Sequence, residues 1–429
     1  MSYDGNLTDQ TIQDDYKRAS DRYAAFGVDT DAAIEKAQAI PISLHCWQGD
    51  DVGGFETKEE AVEGGGIMAT GNFPGKARTA DELRQDLTKV VDLLPGAQRV
   101  NLHAFYCETG SDVVDRDALE PKHFSRWIDW AKEIGIGLDF NPTYFAHPKA
   151  NDNLTLAHPD KSIREFWIQH GVASRKIAQA MGEALGGECV NNHWIPDGAK
   201  DHPADRFSPR ERLVESLDAM FDQGHGVGPL CVDAVEGKLF GLGVEDYTVG
   251  SNDFYANYAL SRDQVLCLDM GHFHPTESIA DKVTAHLPFH KKLLIHTSRP
   301  IRWDSDHVVL LNDDVRNVFL EVARADALDR IYVALDFFDA SINRVGAYVV
   351  GTRATRKAIL YGLLDPSDRL LELEGNGQLA SKLALMEDAK TLPFGAVWDM
   401  LCLKSEVPAG AAWIGDMEQY EADILTKRS

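Results

Sequence analysis

The chain of 429 residues has no apolar run approaching the ~20 residues that span a bilayer. Its start, Met1-Ser2-Tyr3-Asp4-Gly5-Asn6, lacks the basic and apolar regions of a secretory signal, so a cytoplasmic location and no membrane partner are expected. Cysteine is scarce: Cys46, Cys107, Cys189, Cys231, Cys267 and Cys402 form no CxxC pair, mostly within apolar segments, as expected of reduced, buried thiols. A disulfide framework or a thiolate zinc site is not expected. Basic charge is short too, with 43 Lys and Arg against 68 Asp and Glu, and the formal charge of -25 repels phosphate backbones and argues against a nucleic-acid partner. There is no GxGxxG after a strand, no GxxxxGK[ST], no G-x-S-x-G and no H-E-x-x-H, so dinucleotide, P-loop, serine-hydrolase and zincin readings lose support.

An apolar content of 44% lets the chain bury a large core, and its length suits one elaborated α/β barrel or two ordinary domains. Eight short apolar segments recur, at 40–46, 99–105, 136–141, 189–194, 230–235, 265–269, 292–296 and 331–336, each followed by a helical pattern. Thr79-Ala80-Asp81-Glu82 is a capping box opening a stripe of Leu83, Leu87, Val90, Val91 and Leu94, stopped by Pro95-Gly96. Ser208-Pro209-Arg210-Glu211 repeats the device, with Leu213, Leu217 and Phe221 as its apolar face. Eight strand and helix pairs fit a closed (β/α)8 TIM barrel of class α/β better than the open doubly wound sheet that is the alternative. The expected division is an N-terminal helical extension over 1–39, the barrel over 40–364 and a C-terminal helical extension over 365–429, whose Leu379, Leu383, Leu385 and Met386 need a partner surface, on the barrel or on another subunit.

Polar side chains repeatedly end the apolar runs: His45, His103, Asp139 with Asn141, Trp194, Glu236, Asp269, His296 and Asp336. In a barrel these converge on one mouth, where catalytic groups collect. The glycine-rich loop from Gln48 to Lys76 is long enough to cover that mouth, or is a plain surface excursion.

Glu236, Asp269, His296 and Asp336 come from the last four strand ends, and three carboxylates cannot stay ionised side by side without a cation. Hard oxygen ligands with one imidazole suit Mn²⁺, Mg²⁺, Co²⁺ or Zn²⁺, and the lack of a nearby thiolate disfavours a purely structural zinc site. His272, Asp304 and Asp306 form a second set beside the first, although the two aspartates could instead pair with Arg299 or Arg302, and each histidine taken singly reads as a hydrogen-bonded core residue. Two adjacent cations could hold neighbouring oxygens of a sugar, polarise a carbonyl and acidify a hydroxyl, which describes aldose and ketose interconversion. Lys238, two residues past Glu236, is placed to donate to the carbonyl oxygen, or is a rim lysine. Trp47, His103, Phe140, Trp194 and Phe338 are candidates for the walls of a sugar pocket, although aromatic rings also simply fill barrel cores. His274 reads as a local capping residue. A metal-dependent phosphodiesterase on a similar barrel and a non-catalytic sugar-binding protein are the alternatives.

At these residues the chain resembles the L-rhamnose isomerases along nearly its whole length. The resemblance is carried by 45–51 (HCWQGDD), 69–76 (ATGNFPGK), 101–104 (NLHA), 194–198 (WIPDG), 247–252 (YTVGSN), 269–277 (DMGHFHPTE), 298–307 (SRPIRWDSDH) and 335–344 (LDFFDASINR). It implies a (β/α)8 barrel, a homotetramer, and reversible conversion of L-rhamnose to L-rhamnulose with Mn²⁺ or a similar cation. Residue by residue, it implies that Glu236, Asp269, His296 and Asp336 hold a structural metal, that His272, Asp304 and Asp306 hold a catalytic one, and that His103 contacts the sugar and assists ring opening. Lys238, Asp336 and His103 are then the expected catalytic side chains, and Trp47, Trp194, Phe338, His103 and Lys238 the expected substrate contacts. Xylose isomerases are more distantly similar. Small departures at Phe105, Cys107 and Asn192-His193 bear on side specificity. A hydride shift between C1 and C2 is favoured over an enediol, because no histidine or glutamate in this set is clearly spared from metal duty to act as a carbon base.

Overall fold

The computed structural model describes residues 7–56, 69–301 and 307–428. Eight parallel strands pair side by side and close into a barrel: β1 Ile42–His45, β2 Gln98–His103, β3 Gly137–Asn141, β4 Cys189–Trp194, β5 Cys231–Glu236, β6 Val265–Asp269, β7 Leu293–Thr297 and β8 Ile331–Leu335. The expected (β/α)8 architecture is therefore the observed one, and the open sheet is excluded by the pairing of β1 with β8 through Ile42 opposite Val333. Every second residue of each strand faces inward, because successive side chains of a strand alternate faces. Inside, Val190, Ala234, Cys267, Leu294 and Ala334 form a small apolar cluster. Outside, Ile42, Leu44, Val100, Leu102, Leu293 and Ile295 join the large core shared with the helices.

Local sequence explains the helix starts, with two corrections. Thr79 caps the helix Ala80–Val91 by accepting from the Glu82 amide, but Glu82 returns its carboxylate to the amide of Arg78 (2.8 Å) and not to Thr79, one residue outside a reciprocal box. At the second start, Ser208 is already helical in Ser208–Met220, and Asp205 supplies the cap by accepting from the amides of Phe207 (2.9 Å) and Ser208 (3.0 Å). An ionised carboxylate outcompetes a hydroxyl for paired amide donors.

Helices Asp9–Ala24 and Thr30–Ala39 precede the barrel, and Ser367–Gly375, Leu379–Ala389, Phe394–Lys404 and Trp413–Asp423 follow it. The buried guanidinium of Arg356 binds the N-terminal end to the barrel, donating to the carbonyls of Ala37, Ile40 and Ala97. Helix Leu379–Ala389 buries none of its residues within the single chain, leaving Leu379 and Leu383 more than half exposed. No helix among the described residues is long and apolar enough to cross a membrane.

Helix Arg344–Leu363 lies so close to helix Asp313–Arg324 that a Cβ on Gly362 would stand 2.4 Å from the Phe319 carbonyl oxygen. The obstacle is backbone, which cannot swing aside as a side chain can. Gly362→Ala is expected to lower stability by about 1–3 kcal/mol, read as a lower urea midpoint with unchanged slope.

Candidate metal centre and substrate pocket

Four strands deliver the ligand set. Glu236 and Asp269 end β5 and β6, His296 is the penultimate residue of β7, and Asp336 follows β8 directly. One ligand atom from each lies within 4.8 Å of all the others. The His296 Nδ1 is 3.3 Å from Asp269 Oδ2, 3.6 Å from Glu236 Oε2 and 3.7 Å from Asp336 Oδ2, yet neither ring nitrogen makes a hydrogen bond, and Asp269 Oδ2 makes none either. Buried polar atoms facing one another without bonding are what a cation cage looks like, since each lone pair is aimed at a shared point. The set fits a divalent ion of the oxygen-preferring kind.

The electrostatics agree. Burial opposes ionisation of Glu236 and Asp336, but the imidazoles outweigh it, His296 and His272 for Glu236 and chiefly His296 for Asp336, and hold both carboxyls below their usual range. Asp269 is pushed up, mainly by burial. Burial would also strip His296 of its proton, but the acids around it, Glu236, Asp269 and Asp336, push its pKa well above the ordinary value, so without an ion a proton takes the place a cation would take among them.

Neighbouring groups fix each ligand. Trp47 donates its indole N–H to Asp336 Oδ1 (3.1 Å), Asn192 donates its amide to Glu236 Oε2, and Ser298 (3.2 Å) and the Gly271 amide (2.6 Å) donate to Asp269 Oδ1. His272 sits beside the set with Nδ1 2.9 Å from Glu236 Oε1, its position held by Asn252 through the His272 carbonyl. Asp304 and Asp306, the other members of the second set, lie outside the described residues, as does Arg302.

Above the ligands is a pocket lined by Trp47, Val52, His103, Asn141, Phe145, Trp194, Glu236, Lys238, His272, Asp336 and Phe338. All five expected substrate contacts are therefore brought together. Lys238 lies over the Trp194 ring (4.8 Å), and Trp47 packs edge-on against His103 (4.7 Å). Burial lowers His103 to a pKa of about 3, so its imidazole is neutral; Nδ1 is 3.1 Å from the Thr143 hydroxyl, and Asn141 lies 3.4 Å from Nε2. The Gln48 to Lys76 loop reaches the pocket through Val52, and Arg344 ties both its described ends, pairing with Asp51 (2.7 Å) near its start and donating to the Phe73 carbonyl (2.8 Å) near its close; residues 57–68 lie outside the described residues.

Three expectations need correction. Phe140 faces outward and packs on Phe124 (5.0 Å), because it alternates with the inward Asp139 and Asn141. Asp139 is not at the mouth: it is locked one layer below by Arg99 (2.8 and 2.9 Å), Ser43 (2.7 Å) and the Val190 amide (2.8 Å). A thiol is near the acidic set after all, since Cys267 Sγ lies within 4.8 Å of ligand atoms of Glu236 and His296. Exposed His274 bonds the Thr276 hydroxyl (2.7 Å), the local role expected of it. Sequence reasoning did not find Ser298 or Phe145, and it tied Asn192 to side specificity, whereas its amide donates to Glu236; the alternation that puts Asn192 on the same face as Trp194 was the signal that it points inward.

The model of the L-rhamnose isomerase (RhaA) family matches residues 10–428. The chain belongs to that family. An L-rhamnose isomerase of Rhodopirellula baltica is 52% identical over 418 residues, covering 97% of each chain, and that of Salmonella typhimurium is 51% identical over 422 residues, covering 97% of this chain and 99% of the relative. Among solved structures, an L-ribulose 3-epimerase aligns with a TM-score of 0.48 at 14% identity, over 77% of this chain and 97% of that one. Membership in the L-rhamnose isomerase family accords with a barrel whose acids and imidazoles meet at the strand ends.

Asn192→Leu removes the amide donor from Glu236 at nearly constant volume. Its affinity for Mn²⁺ is expected to fall roughly 10–100-fold, measured by titration calorimetry. Asp50, three residues past Trp47, is pushed up to about 7 by burial, against the ionised form favoured by the Tyr106 hydroxyl (2.6 Å) and the Gly54 amide (2.8 Å). A raised native pKa means that stability present below about pH 4 is lost as pH rises through 7, by up to about 4 kcal/mol. Denaturation between pH 5 and 8 is expected to show this decline, and Asp50→Asn to lack that part of the slope.

Proposed function

We propose that this protein interconverts L-rhamnose and L-rhamnulose, an aldose and ketose pair, with divalent metal. The observation that carries the reading is the convergence of Glu236, Asp269, His296 and Asp336 beneath a polar and aromatic pocket, in a chain of this family. Those four residues would hold one cation, with His272, Asp304 and Asp306 holding a second. A bound divalent ion supplies Lewis acidity, polarising the sugar carbonyl and acidifying the adjacent hydroxyl.

The side chains do the rest. Trp47, Trp194, Phe145 and Phe338 present apolar faces that exclude water and orient the sugar ring or chain. His103, neutral and held by its neighbours, accepts a proton from a sugar hydroxyl on ring opening or returns one. Lys238 donates to the oxygen that gains negative charge as the carbonyl is reduced. Asp336, steadied by Trp47, belongs to the metal set and to the reacting centre. Hydrogen passes as hydride between C2 and C1: the carboxylates and imidazoles of the cage would be committed to the cations, and His103, the neutral base in the pocket, serves the sugar hydroxyls.

Manganese is the cation favoured by the oxygen-rich donor set, with Mg²⁺, Co²⁺ and Zn²⁺ as substitutes. The catalytic unit is the 40–364 barrel, and the helical ends over 1–39 and 365–429 serve assembly. The uncovered helix Leu379–Ala389 supports self-association, which the family resemblance makes a homotetramer. The six buried free cysteines accord with work in the cytoplasm.

The test is ketose formation from L-rhamnose after EDTA treatment and again after adding Mn²⁺, run in heavy water. Activity is expected to vanish with chelation, return with Mn²⁺, and leave the product without solvent deuterium at C1. Inactivity despite measured metal occupancy would overturn the substrate, and substantial deuterium at C1 would overturn the hydride route.

A further inference from the structure

Cys267 stands two residues before Asp269 on β6, so its side chain shares the inner face of the barrel one layer deeper. Its Sγ, a carboxylate oxygen of Glu236 and a ring nitrogen of His296 lie within 4.8 Å of one another, and all three residues are buried. His296, only 1% exposed, makes no hydrogen bond through either nitrogen. Around the thiol are Val190, Ala234, Leu294 and Ala334, none of which offers a polar side-chain partner.

We propose that Cys267, His296 and Glu236 form a second, deeper cation position selective for thiophilic divalent ions such as Zn²⁺ and Cd²⁺. Sulfur, imidazole and carboxylate together are a borderline-soft donor set, whereas Glu236, Asp269 and Asp336 with His296 are a predominantly hard one. The two positions share Glu236 and His296, so filling one empties the other. A hard ion takes the upper position and keeps Asp269 and Asp336. A soft ion sinks toward the sulfur, the thiol proton passes to solvent as the metal–sulfur bond forms, and no electron changes hands. The soft ion thereby draws Glu236 away from the sugar pocket. Inhibition by such ions then arises from displacement of the ligand pair, with no contact to the sugar. This inference stands on the three side chains and not on the identity of the sugar.

Metal-free full-length protein titrated with Cd²⁺ tests it. The wild type is expected to develop thiolate-to-cadmium charge-transfer absorption as the ion is taken up. Cys267→Ala is expected to lose that absorption and at least about tenfold in Cd²⁺ affinity, the loss that removal of even a supporting contact brings, while its Mn²⁺ affinity stays unchanged. Stoichiometric Cd²⁺ uptake without charge-transfer absorption, or the same absorption in Cys267→Ala, would overturn the proposal. Should the alanine variant fail to fold, Cys267→Ser keeps the volume, and its Mn²⁺ affinity confirms an intact upper position before the cadmium spectra are compared.

Discussion

Mutual repulsion among Glu236, Asp269 and Asp336 is the constraint on which the rest depends. Three carboxylates drawn out of water at one point are tolerable only if positive charge joins them. In the protein alone that charge is the His296 imidazolium, which reverses the direction burial would give its pKa. Everything adjacent follows from making such a cluster durable: an indole on Asp336, an amide on Glu236, a hydroxyl and a backbone N–H on Asp269. Each donor also fixes which lone pairs remain for a cation, so the same contacts that restrain the acids shape the cage.

The barrel supplies the rigidity. Its interior is divided, with a polar layer of Ser43, Arg99 and Asp139 on one side and the small apolar cluster on the other. Arg99 donates to Asp139 through both Nε and Nη2, so charge below the mouth is neutralised without drawing on the ligand set. Two clusters of charge therefore coexist in one barrel because each is balanced within its own layer.

Much of the fold and the four-ligand set was legible because both obey short-range rules: apolar runs of strand length, helix starts, and acids at strand ends. What stayed hidden depends on pairing between distant strands. Asp139 has the look of a mouth residue until Arg99, 40 residues earlier, is seen to claim it. Asn192 gains its role only from β4 lying beside β5, where Trp194 stands opposite Glu236. Cys267 was read correctly as buried, but burial does not tell which face of the strand a thiol occupies relative to acids from other strands. Phe140 misled for the converse reason, since its neighbours Asp139 and Asn141 already held the inward face. Of the second expected set, His272 stands beside the first, its Nδ1 2.9 Å from Glu236 Oε1.

The indole bond from Trp47 to Asp336 joins residues 289 positions apart. All four ligands of the cage come from the second half of the chain, and the last of them arrives only with the final strand, which must then find the first. A cation consequently has no site on a growing or half-folded chain. The binding energy of an ion held there would be released at ring closure, where mass action favours the finished barrel over every open intermediate. Slow, long-range closure is the step that such topologies find hardest, and an ion held by these four residues would act on that step.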